Sequence, residues 1–146
     1  MSVNTTATPN TITVSVAAKK GAATQTTYNV DPAAVIMADG SVVTLDKLAA
    51  GAKVMLQLSA TDPTTVTAIT AVGQEAEGAV TAVDTTANTV TLAGEHGGTP
   101  ATYTIGATTT ITVDGATGTL AGITVGAKVQ LRLSALDPTV VLSVNA

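Results

Sequence analysis

The chain of 146 residues contains no cysteine, no phenylalanine and no tryptophan. Without cysteine it can form neither disulfide bonds nor thiolate metal sites. Tyr28 and Tyr103 are its only aromatic residues, so its core has to be built from Val, Ile, Leu and Ala, which bury less area per residue than aromatic rings. We expect packing between repeats or between chains to supplement such a thin core.

Charged side chains are also scarce. They make up 11% of the residues, with six Lys and Arg against ten Asp and Glu, and a net charge of −4. Nucleic-acid binding requires clustered Lys and Arg, so we expect no nucleic-acid partner. The apolar runs are far shorter than the roughly 18 residues of a membrane span, and the first thirty residues lack the apolar core of a signal peptide. We expect no membrane insertion.

One segment of the chain occurs twice, at a spacing of 75 residues without gaps. A match of this length indicates a duplication. It predicts two small domains, residues 1–72 and residues 79–146, joined by a linker at residues 73–78. The matched positions are Thr27-Tyr28 with Thr102-Tyr103, Asp39-Gly40 with Asp114-Gly115, Gly51-Ala52-Lys53-Val54 with Gly126-Ala127-Lys128-Val129, Leu58-Ser59-Ala60 with Leu133-Ser134-Ala135, and Asp62-Pro63-Thr64 with Asp137-Pro138-Thr139.

Apolar and polar residues alternate with a period of two through most of the chain. Such alternation is typical of half-buried antiparallel strands. We therefore predict an all-β fold class with two tandem small antiparallel β-barrels of five to six strands each, because closure hides the edges of so few strands. Examples of inward positions are Val54, Leu56 and Leu58 in the first repeat and Val129, Leu131 and Leu133 in the second.

Turn residues separate the predicted strands. Asp39-Gly40 and Asp114-Gly115 predict tight hairpins, because Gly adopts a positive φ without steric cost. Residues 44–51 and 119–126 begin with Thr-Leu and end in Gly, which predicts one short helical turn per repeat, capped by the Thr. Polar loops are expected at Lys19-Lys20-Gly21 and at Glu95-His96-Gly97-Gly98.

The two repeats begin differently. The second opens with a complete strand pattern from Gly78, whereas the first opens only with Met1, Ser2, Val3, Asn4, Thr5 and Thr6, so most of the matching strand is missing. One interpretation is a truncated or frayed edge. The other is an open slot in the first barrel that a neighbouring chain fills by adding a strand, with these six residues as the assembly edge.

The repeat resembles a bacterial family of small secreted β-barrel domains, often found in tandem, whose function is unknown. The resemblance covers nearly the whole chain and implies a β-barrel fold and a surface location, but no catalytic residues. The first repeat lacks the opening Gly-x-Val of that pattern, and Ile123 replaces its second Leu in the second repeat. The residues that carry the resemblance are Gly78-Ala79-Val80, Asn88-Thr89-Val90-Thr91, Tyr103, Asp114-Gly115 and residues 120–129, with Asn10-Thr11-Ile12-Thr13, Tyr28, Asp39-Gly40 and residues 45–54 in the first repeat.

The sequence offers few residues for chemistry. His96 is the only histidine and lacks an acid placed to orient it, so we expect no enzyme and no catalytic residue. Glu75, Glu77 and Asp84 could approach one another around calcium, but they lack the alternating spacing of a calcium loop. We therefore expect no metal and no cofactor. The two tyrosines could stack on sugars or complete the barrel core.

Low-charge Thr and Val strands with an open edge pair readily with copies of themselves. Together with the duplication, this favours a non-enzymatic structural building block of a bacterial surface filament or layer, self-associating as a homo-oligomer or polymer. The expected location is extracellular or at the cell surface. The alternatives are a virion decoration or capsid-surface protein, and a tandem module that binds polysaccharide or protein.

Overall fold

The computed structural model of the chain describes residues 1–16, 22–94 and 98–146. In these residues the predicted all-β fold class is confirmed. The chain divides into two compact units: unit 1, Met1–Gly73, and unit 2, Gln74–Ala146. The predicted loops at Lys19-Lys20-Gly21 and at Glu95-His96-Gly97 lie outside the described residues.

Each unit contains six strands in the same order. Unit 1 consists of β1 (Ser2–Asn4), β2 (Thr11–Val16), β3 (Thr24–Ala38), β4 (Ser41–Val42), β5 (Lys53–Leu58) and β6 (Thr65–Val72). Unit 2 consists of β7 (Glu75–Asp84), β8 (Thr89–Leu92), β9 (Ala101–Val113), β10 (Ala116–Thr117), β11 (Lys128–Leu133) and β12 (Val140–Asn145). Residues 75–78, expected to belong to a linker, are the beginning of β7.

The strands of unit 2 close into a barrel. Their order is β9-β12-β11-β7-β8, and β8 pairs back onto β9. Unit 1 has the order β1-β2-β3-β6-β5 without a closing pair. In addition, the two-residue strand β4 pairs with β3 in unit 1, and β10 pairs with β9 in unit 2. The predicted antiparallel pairing holds except for β3 with β6 and β9 with β12, which run parallel. Between the two parallel strands the chain forms two further strands, β4 and β5 in unit 1 and β10 and β11 in unit 2. These strands bring the chain back to the end of the sheet where the first parallel strand began, so the second can run in the same direction.

The duplicated turns have the predicted geometry. Asp39 and Gly40 have φ of 51° and 86°, and Asp114 and Gly115 have φ of 50° and 79°. Two successive positive φ angles give the turn whose twist matches that of a two-strand hairpin.

A 3-10 helix forms in each region that predicted a helical turn, at Leu45–Lys47 and Leu120–Gly122. The expected capping by threonine is wrong, because the side chains of Thr44 and Thr119 make no capping hydrogen bond. Burial of Leu45 and Leu120 anchors these helices instead. No helix among the described residues is long and apolar enough to cross a membrane.

The buried side chains are aliphatic, as the composition predicts. In unit 2 they form one cluster against which Tyr103 packs while half-buried. Its fully enclosed members are Val80, Val90, Leu131, Val141 and Val144, and the corresponding side chains in unit 1 include Ile12, Val66 and Ile69.

Candidate functional site at the open edge of strand β5

In unit 2 the first half of β7 covers the outer edge of β11. The two strands pair antiparallel, and the ladder ends with one hydrogen bond on each side. The Leu133 N–H donates to the Gln74 carbonyl oxygen at 2.8 Å, and the Val80 N–H donates to the Ala127 carbonyl oxygen at 2.9 Å. β7 therefore protects the β11 edge over residues 127–133.

In unit 1 the counterpart of β11 is β5, which pairs on one side only. It lies antiparallel to β6, and no strand among the described residues lies on its other side. β1, the counterpart of the second half of β7, pairs with β2. Before β1, the Met1 carbonyl oxygen accepts a hydrogen bond from the Gly51 N–H at 3.5 Å. No strand among the described residues therefore covers residues 52–58, the counterpart of residues 127–133, and we call this section the open edge.

The backbone groups on this edge follow from the alternation of a strand, in which successive residues direct their N–H and C=O groups to opposite edges. The Ser59 N–H donates to Thr65 of β6 at 2.8 Å, as its counterpart Ser134 donates to β12. Leu133, the residue before Ser134, donates to the other side. The same alternation directs the N–H and C=O groups of Val54, Leu56 and Leu58 to the open edge.

Side-chain burial differs between the two strands at equivalent positions. Leu133 is 5% exposed, whereas Leu58, its counterpart in β5, is 38% exposed. Leu131 is completely buried, whereas Leu56 is half-buried. Because each pair has the same side chain at the same place in the fold, we attribute the difference to the strand that covers β11 and is missing beside β5.

The outer face of unit 1 adds a row of three apolar side chains and one threonine that ends at this edge. Successive strand pairings place Val42 opposite Met37, Met37 opposite Thr70, and Thr70 opposite Met55. Val42 is 74% exposed and Met55 is 76% exposed. We call Val42, Met37, Thr70 and Met55 the outer row. Beside it lies a depression of about 210 Å³ that is lined by Lys53, Val54, Met55, Thr70 and Val72.

Unit 2 has polar residues at all four equivalent positions. Thr117 lies opposite Thr112, Thr112 opposite Asn145, and Asn145 opposite Gln130. Each is 75 residues after its counterpart in the outer row. At these four positions unit 2 is polar throughout, whereas unit 1 has three apolar side chains and one threonine. Exposed apolar patches of this kind mark interaction surfaces.

The predicted assembly edge lies across the same opening. Of Met1, Ser2, Val3, Asn4, Thr5 and Thr6, three form β1. The Asn4 Oδ1 atom accepts hydrogen bonds from the N–H groups of Thr6 and Ala7 at 3.0 and 3.2 Å, as Asp84 does in the matching turn of unit 2. Their role in assembly stays a prediction.

The sequence reasoning missed β5 itself as the edge. Its signal was the exchange of Met55, Met37 and Val42 for polar residues in an otherwise matching repeat.

The other candidate residues do not come together. Glu75, Glu77 and Asp84 all lie on β7, and no group of three or more His, Asp or Glu residues in the described ranges could hold a metal ion. Tyr28 and Tyr103 are half-buried at equivalent positions, opposite Ile12 and Val90. His96 lies outside the described residues.

The Asp-Pro-Thr turns have the clearest electrostatic feature. Hydrogen bonds from the side chains of Thr64 and Thr65 and from the Thr64 N–H lower the pKa of Asp62. In unit 2, the Thr139 hydroxyl and N–H lower the pKa of Asp137. These carboxylates serve the turns that lead into β6 and β12, so they are structural.

The chain matches no protein-family profile, no curated protein and no solved structure.

Proposed function

We propose that the chain is a non-enzymatic structural building block that associates with copies of itself through the open edge of β5. The observation that carries this proposal is the contrast between β5 and β11. The same strand is covered in unit 2 and uncovered in unit 1, where its edge groups and half-exposed leucines are left to solvent. An uncovered edge is a template for pairing with another strand.

Low charge and a polar but uncharged surface support assembly in an extracellular filament or layer. Only 11% of the residues are charged, so repulsion between copies is weak. Threonine hydroxyls on neighbouring strands pair with each other, at 2.8 Å between Thr13 and Thr27 and 2.9 Å between Thr91 and Thr102. On the outer face of such strands, threonine hydroxyls can form hydrogen bonds with each other, so few charged side chains are needed there. The sequence resemblance to secreted domains also favours a location outside the cell.

The proposal predicts that a charge on the β5 edge prevents assembly. Met55→Lys places a cation on an edge strand, which is how many proteins avoid edge pairing. Because Met55 is 76% exposed, we expect little change in folding. Gln130→Lys makes the same change on β11, where β7 already covers the edge, and is the matched control.

Negative-stain electron microscopy and light scattering at micromolar concentration measure the outcome. We expect dimers or larger assemblies, including filaments or sheets, for the unaltered chain and for Gln130→Lys, and monomers for Met55→Lys. An unaltered chain that stays monomeric at all concentrations would refute self-association. Assembly that Met55→Lys leaves intact would show that another surface is used.

A further inference from the structure

We infer that β5 pairs antiparallel with β5 of a second copy, about a two-fold axis that passes beside Met55. This inference rests on the proposed function, to which it adds the partner strand, the symmetry and the register. The two-fold contact closes as a dimer, and a filament or layer requires a second surface that joins these dimers.

The partner strand follows from the edges that a second copy offers. Among the strands the structure describes, β5 is the only one longer than three residues that has no strand along one of its edges. β1 has three residues, β4 and β10 have two each, and β11 is covered by β7. A long open edge on one copy can therefore be matched along its length only by the same edge on another.

The direction follows from symmetry. A contact between identical surfaces is isologous and has a two-fold axis. An axis perpendicular to the sheet makes the two β5 strands antiparallel and keeps their inner faces on the same side. The half-exposed Val54, Leu56 and Leu58 then lie beside the inner side chains of the second copy. In unit 2, β7 covers the counterparts of these residues.

The register follows from the covered section of β11. In unit 2 the ladder with β7 extends over residues 127–133. The equivalent section of unit 1 is residues 52–58, and its midpoint is Met55. A two-fold contact that uses the whole section must therefore be centred on Met55. Because the backbone groups of Met55 point to β6, the two Met55 residues form a non-hydrogen-bonded pair, with Cα atoms about 4.5 Å apart.

The side chains of the edge fit this register. Lys53 of each copy lies opposite Gln57 of the other, and no two like charges face each other. A contact centred on Lys53 would instead oppose two lysines, which is destabilising. The register also joins the outer rows of the two copies through Met55, so that one apolar stripe crosses the contact.

The absence of cysteine from the chain makes a disulfide test direct. Met55→Cys places two thiols at the two-fold axis, at a Cα separation that a disulfide accepts. In the same register, two Gln57→Cys residues are displaced by four positions along the strands, about 13 Å, and cannot bond. Gln130→Cys is the control for random collision, because it occupies the equivalent outward position on covered β11.

The three variants are oxidised at micromolar concentration and analysed on non-reducing gels, with light scattering of the reduced samples in parallel. We expect rapid covalent dimers of Met55→Cys and at least tenfold slower dimer formation by Gln57→Cys and Gln130→Cys. If the reduced samples assemble but Met55→Cys crosslinks no faster than the other two, the two-fold register is wrong and self-association stands.

Samples that stay monomeric refute both proposals. A last measurement then adds to the monomer a synthetic peptide of residues 73–84, which contains β7, the strand that covers β11 in unit 2. Binding at the β5 edge, read from backbone amide shifts in NMR spectra, would show that the slot accepts a lone strand and not a second β5.

Discussion

Truncation of equivalent leucines should distinguish the covered strand from the uncovered one. Leu131 in β11 and Leu56 in β5 occupy the same position in the two repeats, and the sequence alone predicts equal costs for their replacement by alanine. In the structure Leu131 is completely buried and Leu56 is half-buried. We therefore expect Leu131→Ala to destabilise its unit more than Leu56→Ala destabilises the other.

The magnitudes follow from what each truncation leaves behind. Leu131→Ala removes a side chain enclosed on all sides and leaves a cavity, so we expect a loss of about 3 kcal/mol. Leu56 borders the open edge, where solvent or neighbouring groups can fill the space. Only part of the transfer free energy is then lost, about 1 kcal/mol.

Urea denaturation followed by NMR measures the free energy of unfolding of each unit separately, because amide signals can be assigned to residues of unit 1 or unit 2. The protein is kept dilute so that copies do not associate. Ala79→Gly and Ser2→Gly, at exposed or half-exposed positions of β7 and β1, serve as controls for small backbone effects.

Equal losses for Leu56→Ala and Leu131→Ala in the dilute protein would refute the reasoning, since they would mean that the β5 edge is as well covered as that of β11. A loss for Leu56→Ala that increases with protein concentration would agree with it, because a second copy would enclose that side chain.

Two further predictions concern unit 2 and the turns. A Cβ atom on Gly78 would lie 3.1 Å from the Ala93 carbonyl oxygen and 3.5 Å from the Leu92 Cβ atom, so Gly78→Val should lower the stability of unit 2 by about 1–3 kcal/mol in the same urea assay; an unchanged midpoint would show that β7 can shift without cost. The pKa of Asp62 is lowered in the folded chain from an ordinary value of 3.8, so its contribution to stability is present above that pH and is lost as pH falls through the lowered pKa. The urea midpoint of unit 1 should therefore fall less in Asp62→Asn than in the unaltered chain between about pH 5 and pH 2.5, and parallel curves would contradict this.

The local elements could be predicted because short-range chemistry determines them. Alternating apolar residues place the strands, and Asp39-Gly40 with Asp114-Gly115 place the hairpins through their positive φ angles. The burial of Leu45 and Leu120 could be expected from the helical turns that they begin.

The long-range pairings could not be predicted in this way. Val30 reads as the end of a short strand, but β3 continues through Asp31-Pro32 to Ala38, with a register shift between Val30 and Val35. The parallel pairing of β3 with β6 depends on this continuation. Alternation shows that a residue is inward or outward, and it contains no information on which strand lies beside it.

For the same reason, only one part of the candidate site could be predicted from the sequence. The sequence places the predicted assembly edge at Met1, Ser2, Val3, Asn4, Thr5 and Thr6. The uncovered edge lies some fifty residues away on β5, and only the sheet topology shows that β1 and β5 are the two ends of one sheet. The difference between Gln130 and Met55 can be interpreted once β11 and β5 are placed at equivalent positions of their two units.

The unequal closure of the two units has a mechanical consequence. In unit 2, β11 is held between β7 and β12, so its removal from the sheet must break two ladders. In unit 1, β5 is held by β6 alone, and fewer bonds resist its removal. A tensile load should therefore rupture unit 1 first and leave unit 2 folded. A strand joined to β5 would raise the rupture force, so an assembled chain would be stronger under load than an isolated one.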